Sequence, residues 1–450
     1  MPKILTFLIL LLAFAKISYS QGSWSYLGTI PSGAAINSIA VVDQNVIFVA
    51  AKGNGLYRTL NGGSTWELKN TGLAASGDLY GISATDSLNC WVGWLKSTGT
   101  PASIYRTTDG GTSWTLQWTL AGTFPDGIKM FTPDYGIAIG DPTGNGQPYQ
   151  FRYTTNGGTT WNLSPTSPIA ENEYGVINAF DFIDTNIIWV GSASTVANAT
   201  TCKIYNTSTG INGTWLNTIV AGTGGTQGLY YQAIAFLDKN YGMAGSNGSD
   251  IVKTTDGGAT WTAIAPPNGI TTFAAINMYG FKDGSNIIKM SLVDTTPVYH
   301  CFKTTNLGST WTEEVLPSQG STNGMQHMQF VNSSLGFSGG LAGTLLKFSN
   351  PASAVQKENI LPDNYTLTQN FPNPFNPTTI IKYQIPQNSY VSLKVFNSLG
   401  QEVATLVNGM INAGTHDVQF NASNLSSGVY FYVIKAGDNF FQSQKMMLLK

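Results

Sequence analysis

Short apolar runs alternate with polar turns along most of the chain. Ile82-Ser83-Ala84 or Ala233-Ile234-Ala235-Phe236 opens a unit, a turn at Asp or Asn follows, and a second run such as Trp189-Val190-Gly191 or Gly242-Met243-Ala244-Gly245 comes next. A variable loop leads to a third run ending in Arg/Lys-Thr-Thr, then a Gly-rich turn, then a fourth run opened by tryptophan, as in Thr65-Trp66-Glu67-Leu68. Runs of this length between Gly, Asn and Asp predict strands joined by hairpins. Trp66, Trp114, Trp161, Trp215, Trp261 and Trp311 recur every 46 to 54 residues, a period that marks stacked copies of one supersecondary unit. Four short antiparallel strands cannot bury both faces of their own sheet, so the units are expected to stack radially as propeller blades.

The turn has its own chemistry. In its cleanest copy, Thr107-Thr108-Asp109-Gly110-Gly111-Thr112-Ser113-Trp114, the Asp can accept backbone N–H bonds from its own turn, glycine supplies positive φ, and the Thr hydroxyl can bond the same turn. The indole packs as a large apolar plate whose N–H seeks a partner. The phrase resembles the Asp-box, or bacterial neuraminidase repeat, of pattern Ser/Thr-x-Asp-x-Gly-x-x-Trp. Copies at Asn61, Asp109, Asn156 and Asp256 fit it, apart from Asn for Asp. The copy at Asn306 places Leu307 where glycine would sit, and Thr207 to Trp215 is degenerate and lengthened. A seventh unit has three strands, in Met328 to Asn332, Gly336 to Gly340 and Thr344 to Asn350, before Pro351. Its missing outer strand is expected from Ser23-Trp24-Ser25-Tyr26-Leu27-Gly28, which would close a ring of seven blades, six and eight being the alternatives.

After Pro351 the pattern changes. A polar linker, 353–366, leads into 367–450, where alternating strands without Asp-boxes predict a small immunoglobulin-like β-sandwich. The expected architecture is therefore all-β, a seven-bladed propeller over 21–352 followed by that sandwich. Asn370-Phe371-Pro372-Asn373-Pro374-Phe375-Asn376-Pro377, Asn397-Ser398-Leu399-Gly400-Gln401-Glu402-Val403, Leu425-Ser426-Ser427-Gly428-Val429-Tyr430 and the Lys-Met-x-Leu-x-Lys ending resemble the type A C-terminal sorting domain of the type IX secretion system. The resemblance implies passage across the inner membrane, engagement of the type IX machinery by the tail, and export to the surface or the medium, usually with removal of the tail.

Lys3, the apolar run Ile4 to Ala15 and Ser18-Tyr19-Ser20 read as a removable signal peptide, 1–20, with no Cys there to take a lipid. No other run approaches a membrane span, so the mature chain is expected to be soluble. Charged residues make up 10% and the net charge is −2, which excludes the basic surplus that nucleic-acid binding requires. Cys90, Cys202 and Cys301 lie in predicted strands at spacings that match neither a disulfide framework nor a metal site, and His300, His327 and His416 are scattered. Neither a metal nor a cofactor is expected.

Asp-boxes invite comparison with sialidases, which hold their substrate carboxylate with three separated arginines. Here Arg58, Arg106 and Arg152 occupy one repeat position, filled by Lys253 and Lys303 in later units. A glycoside hydrolase needs two carboxyls facing one cleft, and Asp78, Asp126, Glu171 and Glu173 lie near inner-strand entrances, where the plainer reading is solvated loop charge. Repeat length and phrase also resemble single seven-bladed Asp-box propellers of the photosystem II assembly and stability factor type, which implies a binding scaffold. The expected function is a secreted or surface non-catalytic propeller that binds a protein or glycan; the alternative is a hydrolase using paired carboxylates. Candidate ligand-binding residues are Tyr80, Trp94, Tyr174, Tyr230, Tyr231 and Phe273, with Phe124 nearby and Trp94 the expected exposed aromatic. They sit on the face opposite the Asp-boxes, where variable loops gather on a rigid frame.

Overall fold

The computed structural model describes residues 22–223, 228–350, 364–370, 372–386, 389–411, 414–437 and 440–449; the expected leader and most of the expected linker lie outside them. The chain divides into two compact units, Met1–Ala352 and Ser353–Lys450.

In the first unit the described residues form seven four-stranded antiparallel sheets. Blade two is representative: Gly77–Ala84 is innermost, followed outward by Cys90–Lys96, Ala102–Thr107 and Thr115–Leu120. Burial peaks in the second strand of each blade and falls outward from there. Every residue of the second strands Ile47–Ala51 and Gly242–Ser246 is buried, while the outer pair Glu67–Leu68 is exposed. Second strands, covered on both faces by neighbouring blades, have no polar alternation to show. Trp91 and Trp189 extend from them to the following blade, each donating its indole N–H at 2.8 Å to a glycine carbonyl in that blade's Asp-box, at Gly157 and Gly257.

The ring closes through the N-terminal strand Ser23–Thr29, which pairs antiparallel with Thr344–Ser349 as the outer strand of blade seven, Trp24 opposite Phe348. Trp24 is buried among Phe330, Phe348 and Leu346 and donates its indole N–H at 3.1 Å to Glu314 of blade six. Glu314 in turn holds the buried Lys289 ammonium at 2.5 Å.

The Asp-box turn is built as its residues require. Thr107 Oγ donates to Asp109 Oδ1 at 2.7 Å and accepts from the Gly111 N–H at 2.8 Å, while Asp109 Oδ1 accepts from the Ser113 N–H at 3.0 Å. These bonds and the Ser113 hydroxyl lower the Asp109 pKa to about 2, the Ser113 hydroxyl being the largest cause. Gly110 and Gly111 take φ of 71° and 85°, and Leu307 adopts the same left-handed region at 52° without glycine's freedom. The indoles are less uniform than expected. Trp114 and Trp215 donate to Lys69 O and Ile211 O, but the buried N–H groups of Trp161, Trp261 and Trp311 have no partner among the described residues.

The second unit packs two sheets: Thr366–Leu367, Thr378–Ile385 and Gly414–Asn421 in one, and Glu402–Ile411, Ser389–Asn397, Gly428–Ala436 and Phe440–Leu448 in the other. Ile381, Tyr383, Val391, Leu393, Tyr432, Ile434 and Met446 fill the space between them.

Candidate functional site

Six of the seven inner strands carry a β-bulge near their entrance. The unpaired residue is Asn37 in blade one, Gly81 in two, Asp126 in three, Gln232 in five and Ile276 in six. Blade four has a larger insertion: Gly175 pairs with Ser192 and Phe180 with Val190, so Val176 to Ala179 oppose Gly191 alone. A bulge bends its strand and re-aims a side chain. Here Asn37, Asp126, Gln232, Ile276 and the blade-four loop all line one cavity of about 550 Å³ at the mouth of the channel, to which every blade contributes.

The blade-four insertion forms the floor. Asn178, at φ 58°, donates its amide N–H at 3.1 Å across the channel to Asn37 O in blade one, and it borders both the cavity and the space at the opposite mouth. Asn tolerates this left-handed backbone better than most residues. Ile177 beside it is 37% exposed, an apolar surface turned to the cavity.

Four aromatics form the wall. Tyr80 and Phe124 pack with ring centroids 4.6 Å apart, and Tyr174, 38% exposed, and the half-buried Tyr230 complete it. Burial raises the Tyr174 pKa, with lesser contributions from Tyr230, Asp141 and Asp126. The remaining candidates are not in the wall. Trp94, expected exposed, is 4% exposed and packs in the blade-two core, while Tyr231 and Phe273 are buried between blades. Gly77 provides the room for Trp94, since a Cβ there would collide with its indole. Tyr231 and Tyr230 are consecutive residues and so project to opposite sides.

The acids also depart from expectation. Asp126, expected solvated, is 2% exposed, and its Oδ2 has no hydrogen-bond partner among the described residues. Asp141, which no motif singles out, lies beside it: its Oδ1 accepts from the Gly175 N–H at 2.6 Å, and its backbone N–H bonds Phe124 O. A methyl on Gly175 would collide with Asp126 Oδ2 and sit 3.2 Å from Asp141 Oδ1, so both oxygens face one point. Burial, then repulsion from Asp141, pushes the Asp126 pKa well up, and burial raises that of Asp141 to about 7. Glu173 is buried too, but satisfied by Tyr205, Ser192 and Lys203. Asp78 caps the Gly53 N–H and Glu171 is an exposed partner of Lys203. Arg106 and Arg152 lie over the Trp91 and Trp118 rings, and Arg58 bonds Ser87 O and Glu67, each engaged in its own part of the ring.

Residues 369–449 match the family described as Secretion system C-terminal sorting domain. That tail directs the chain through type IX secretion to the cell surface or extracellular space. No curated protein matches the chain. Among solved structures, YCF48 bound to D1 peptide is 17% identical with a TM-score of 0.54, covering 72% of this chain and 96% of its own. YCF48 from Cyanidioschyzon merolae is 16% identical, TM-score 0.53, covering 73% and 98%. The GH74 xyloglucanase from Xanthomonas campestris is 10% identical, TM-score 0.53, covering 81% of this chain and 60% of its own. These likenesses establish the propeller fold, which binding proteins and enzymes share.

Proposed function

We propose that the chain is an exported, non-catalytic binding protein whose ligand, a protein segment or a glycan, enters the cavity at the bulged mouth of the propeller. The observation that carries this reading is the convergence of all seven blades on one cavity of about 550 Å³ walled by Tyr80, Phe124, Tyr174 and Tyr230. A volume within roughly 300–1,000 Å³, lined by aromatics with a few placed polar groups, is the usual form of a ligand site. The solved neighbour bound to a peptide supports the fold's fitness for such a task. Glycan and peptide arrays probed with the purified protein test the proposal: a ligand lost on combining Tyr174→Ala with Tyr230→Ala is expected, and a ligand retained by that variant refutes it.

The second reading, a glycoside hydrolase, is favoured by one observation, the Asp126 and Asp141 carboxyls facing the same cavity. Against it, Asp126 is 2% exposed, too enclosed to protonate a glycosidic oxygen without rearrangement. New reducing ends released from a polysaccharide panel, and abolished by Asp141→Asn, would establish it over the binding reading.

A further inference from the structure

Two of the other bulge residues show what an amide does at this station. Asn37 in blade one donates its side-chain N–H at 2.8 Å to Leu79 O on the inner strand of blade two. Gln232 in blade five does the same to Ala275 O of blade six. Each amide ties its strand to the next blade where the bulge interrupts the ladder. Asp126 holds the same station between blades three and four but carries a carboxyl, which when ionised has no N–H to offer. An acid there forgoes the tie that Asn37 and Gln232 make, as Gly81 and Ile276 also do, but unlike them it leaves a buried Oδ2 unpartnered among the described residues and sits beside a second acid. A buried carboxyl with no partner costs stability, so this departure from the repeat points away from a framework role.

We propose that the cavity receives the basic side chain of a polypeptide, its ammonium or guanidinium lying against Asp141 with the enclosed Asp126 carboxyl behind it, and its aliphatic stem against Phe124 and Tyr174. This rests on the cavity being the ligand site. The two acids have no cationic partner among the described ion pairs, and Lys52, the cavity's own cation, is an exposed residue of blade one. Aromatic faces beside paired carboxyls suit an organic cation, attracted by both the rings and the acids. A hard metal ion seeks six or more oxygens, and no three metal-ligating side chains cluster among the described residues. Tyr149, fully buried and outside the cavity lining, lies within electrostatic reach of both acids.

Proton linkage gives a signature. The titratable groups facing the pair are Tyr149 and Tyr174, with Tyr80, Tyr230 and Lys52 elsewhere around the cavity, and burial raises all four tyrosines above their ordinary range. Asp141 therefore changes charge near neutrality, and the buried Asp126 only at a pH well above the ordinary carboxyl range. A cation favours their ionised forms, so binding releases protons and tightens as pH rises through about 7.

The test is calorimetry on the purified chain with capped Ala-Lys-Ala, Ala-Arg-Ala and Ala-norleucine-Ala peptides and free butylamine. The lysine or arginine peptide should bind at least about tenfold more tightly than the norleucine peptide, and about tenfold more tightly at about pH 8 than at about pH 6, with proton release. Asp126→Asn and Asp141→Asn should each remove most of that preference; their melting temperatures check that the fold is kept. Equal binding of the norleucine peptide, or unchanged affinity in the Asp126→Asn/Asp141→Asn double variant, overturns the cationic ligand while leaving the cavity as a binding site. Butylamine binding as tightly as the peptides overturns the polypeptide assignment. Peptide binding insensitive to Tyr174→Ala defeats the cavity reading itself, and no binding of either basic peptide defeats this inference alone.

Discussion

Replacing Trp24 tests how the ring is clasped. Trp24 is 5% exposed, its ring lies 5.3 Å from that of Phe348 and 5.8 Å from that of Phe330, and its N–H reaches the Glu314 carboxylate of blade six. Trp24→Ala deletes the plate and should cost about 3–5 kcal/mol, the range for a large aromatic removed from a core. Trp24→Phe keeps most of the plate but removes the donor to a buried charged group, at about 1.5–3 kcal/mol. All 11 tryptophans of the chain lie before residue 352, so tryptophan fluorescence during guanidinium unfolding reports the propeller without the tail. The two variants should shift the transition midpoint in that order. A Trp24→Ala cost below about 1 kcal/mol, the level of an ordinary surface change, would refute the closure argument; equal costs for the two variants would refute the division between plate and donor.

The acid pair has a stability signature of its own. Because the folded-state pKa of Asp141 is raised from 3.8 to about 7, its contribution is present below about pH 4 and is lost as pH rises through about 7. Asp141→Asn, which can still accept the Gly175 N–H, should therefore match the parent near about pH 4 and become more stable by up to about 4 kcal/mol near about pH 8; denaturant midpoints at both pH values measure this. Thr107→Val leaves the buried Gly111 N–H without its acceptor and should cost about 1–3 kcal/mol in the fluorescence-detected transition. At Asn178, Ala and Gly both lose the bond to Asn37, but Ala also strains at φ 58°, so Asn178→Ala should be about 1 kcal/mol less stable than Asn178→Gly by thermal melting.

Much of the fold was legible because its information is local and repeated. The Asp-box encodes its own turn in Thr, Asp or Asn and paired Gly, and a strand with no box at Trp24 beside a unit lacking its fourth strand identified the closure. The site was less legible. A bulge is a fact of register: Asn37, Asp126, Gln232 and Ile276 share no residue type, and only their pairing with the second strands reveals that they hold one station. Alternation predicts that Tyr230 and Tyr231 diverge, yet not which of them faces the channel. Trp94 read as exposed because it stands near the end of its strand, whereas Gly77, two positions from its partner Leu79 on the facing strand, was the cue that a large ring lies over the backbone. Asp141 gave no local signal, since its importance comes from a blade-four backbone N–H more than thirty positions away.

Whether ligand enters at the bulged mouth is measured by hydrogen exchange, with and without the tightest ligand from the arrays. Slowed exchange is expected in the bulged inner-strand entrances, residues 35–38, 124–128 and 174–179, with the Asp-box hairpins unchanged. Protection confined to the hairpins around Asn61, Asp109 and Asp256, with the bulges exchanging as before, would contradict it.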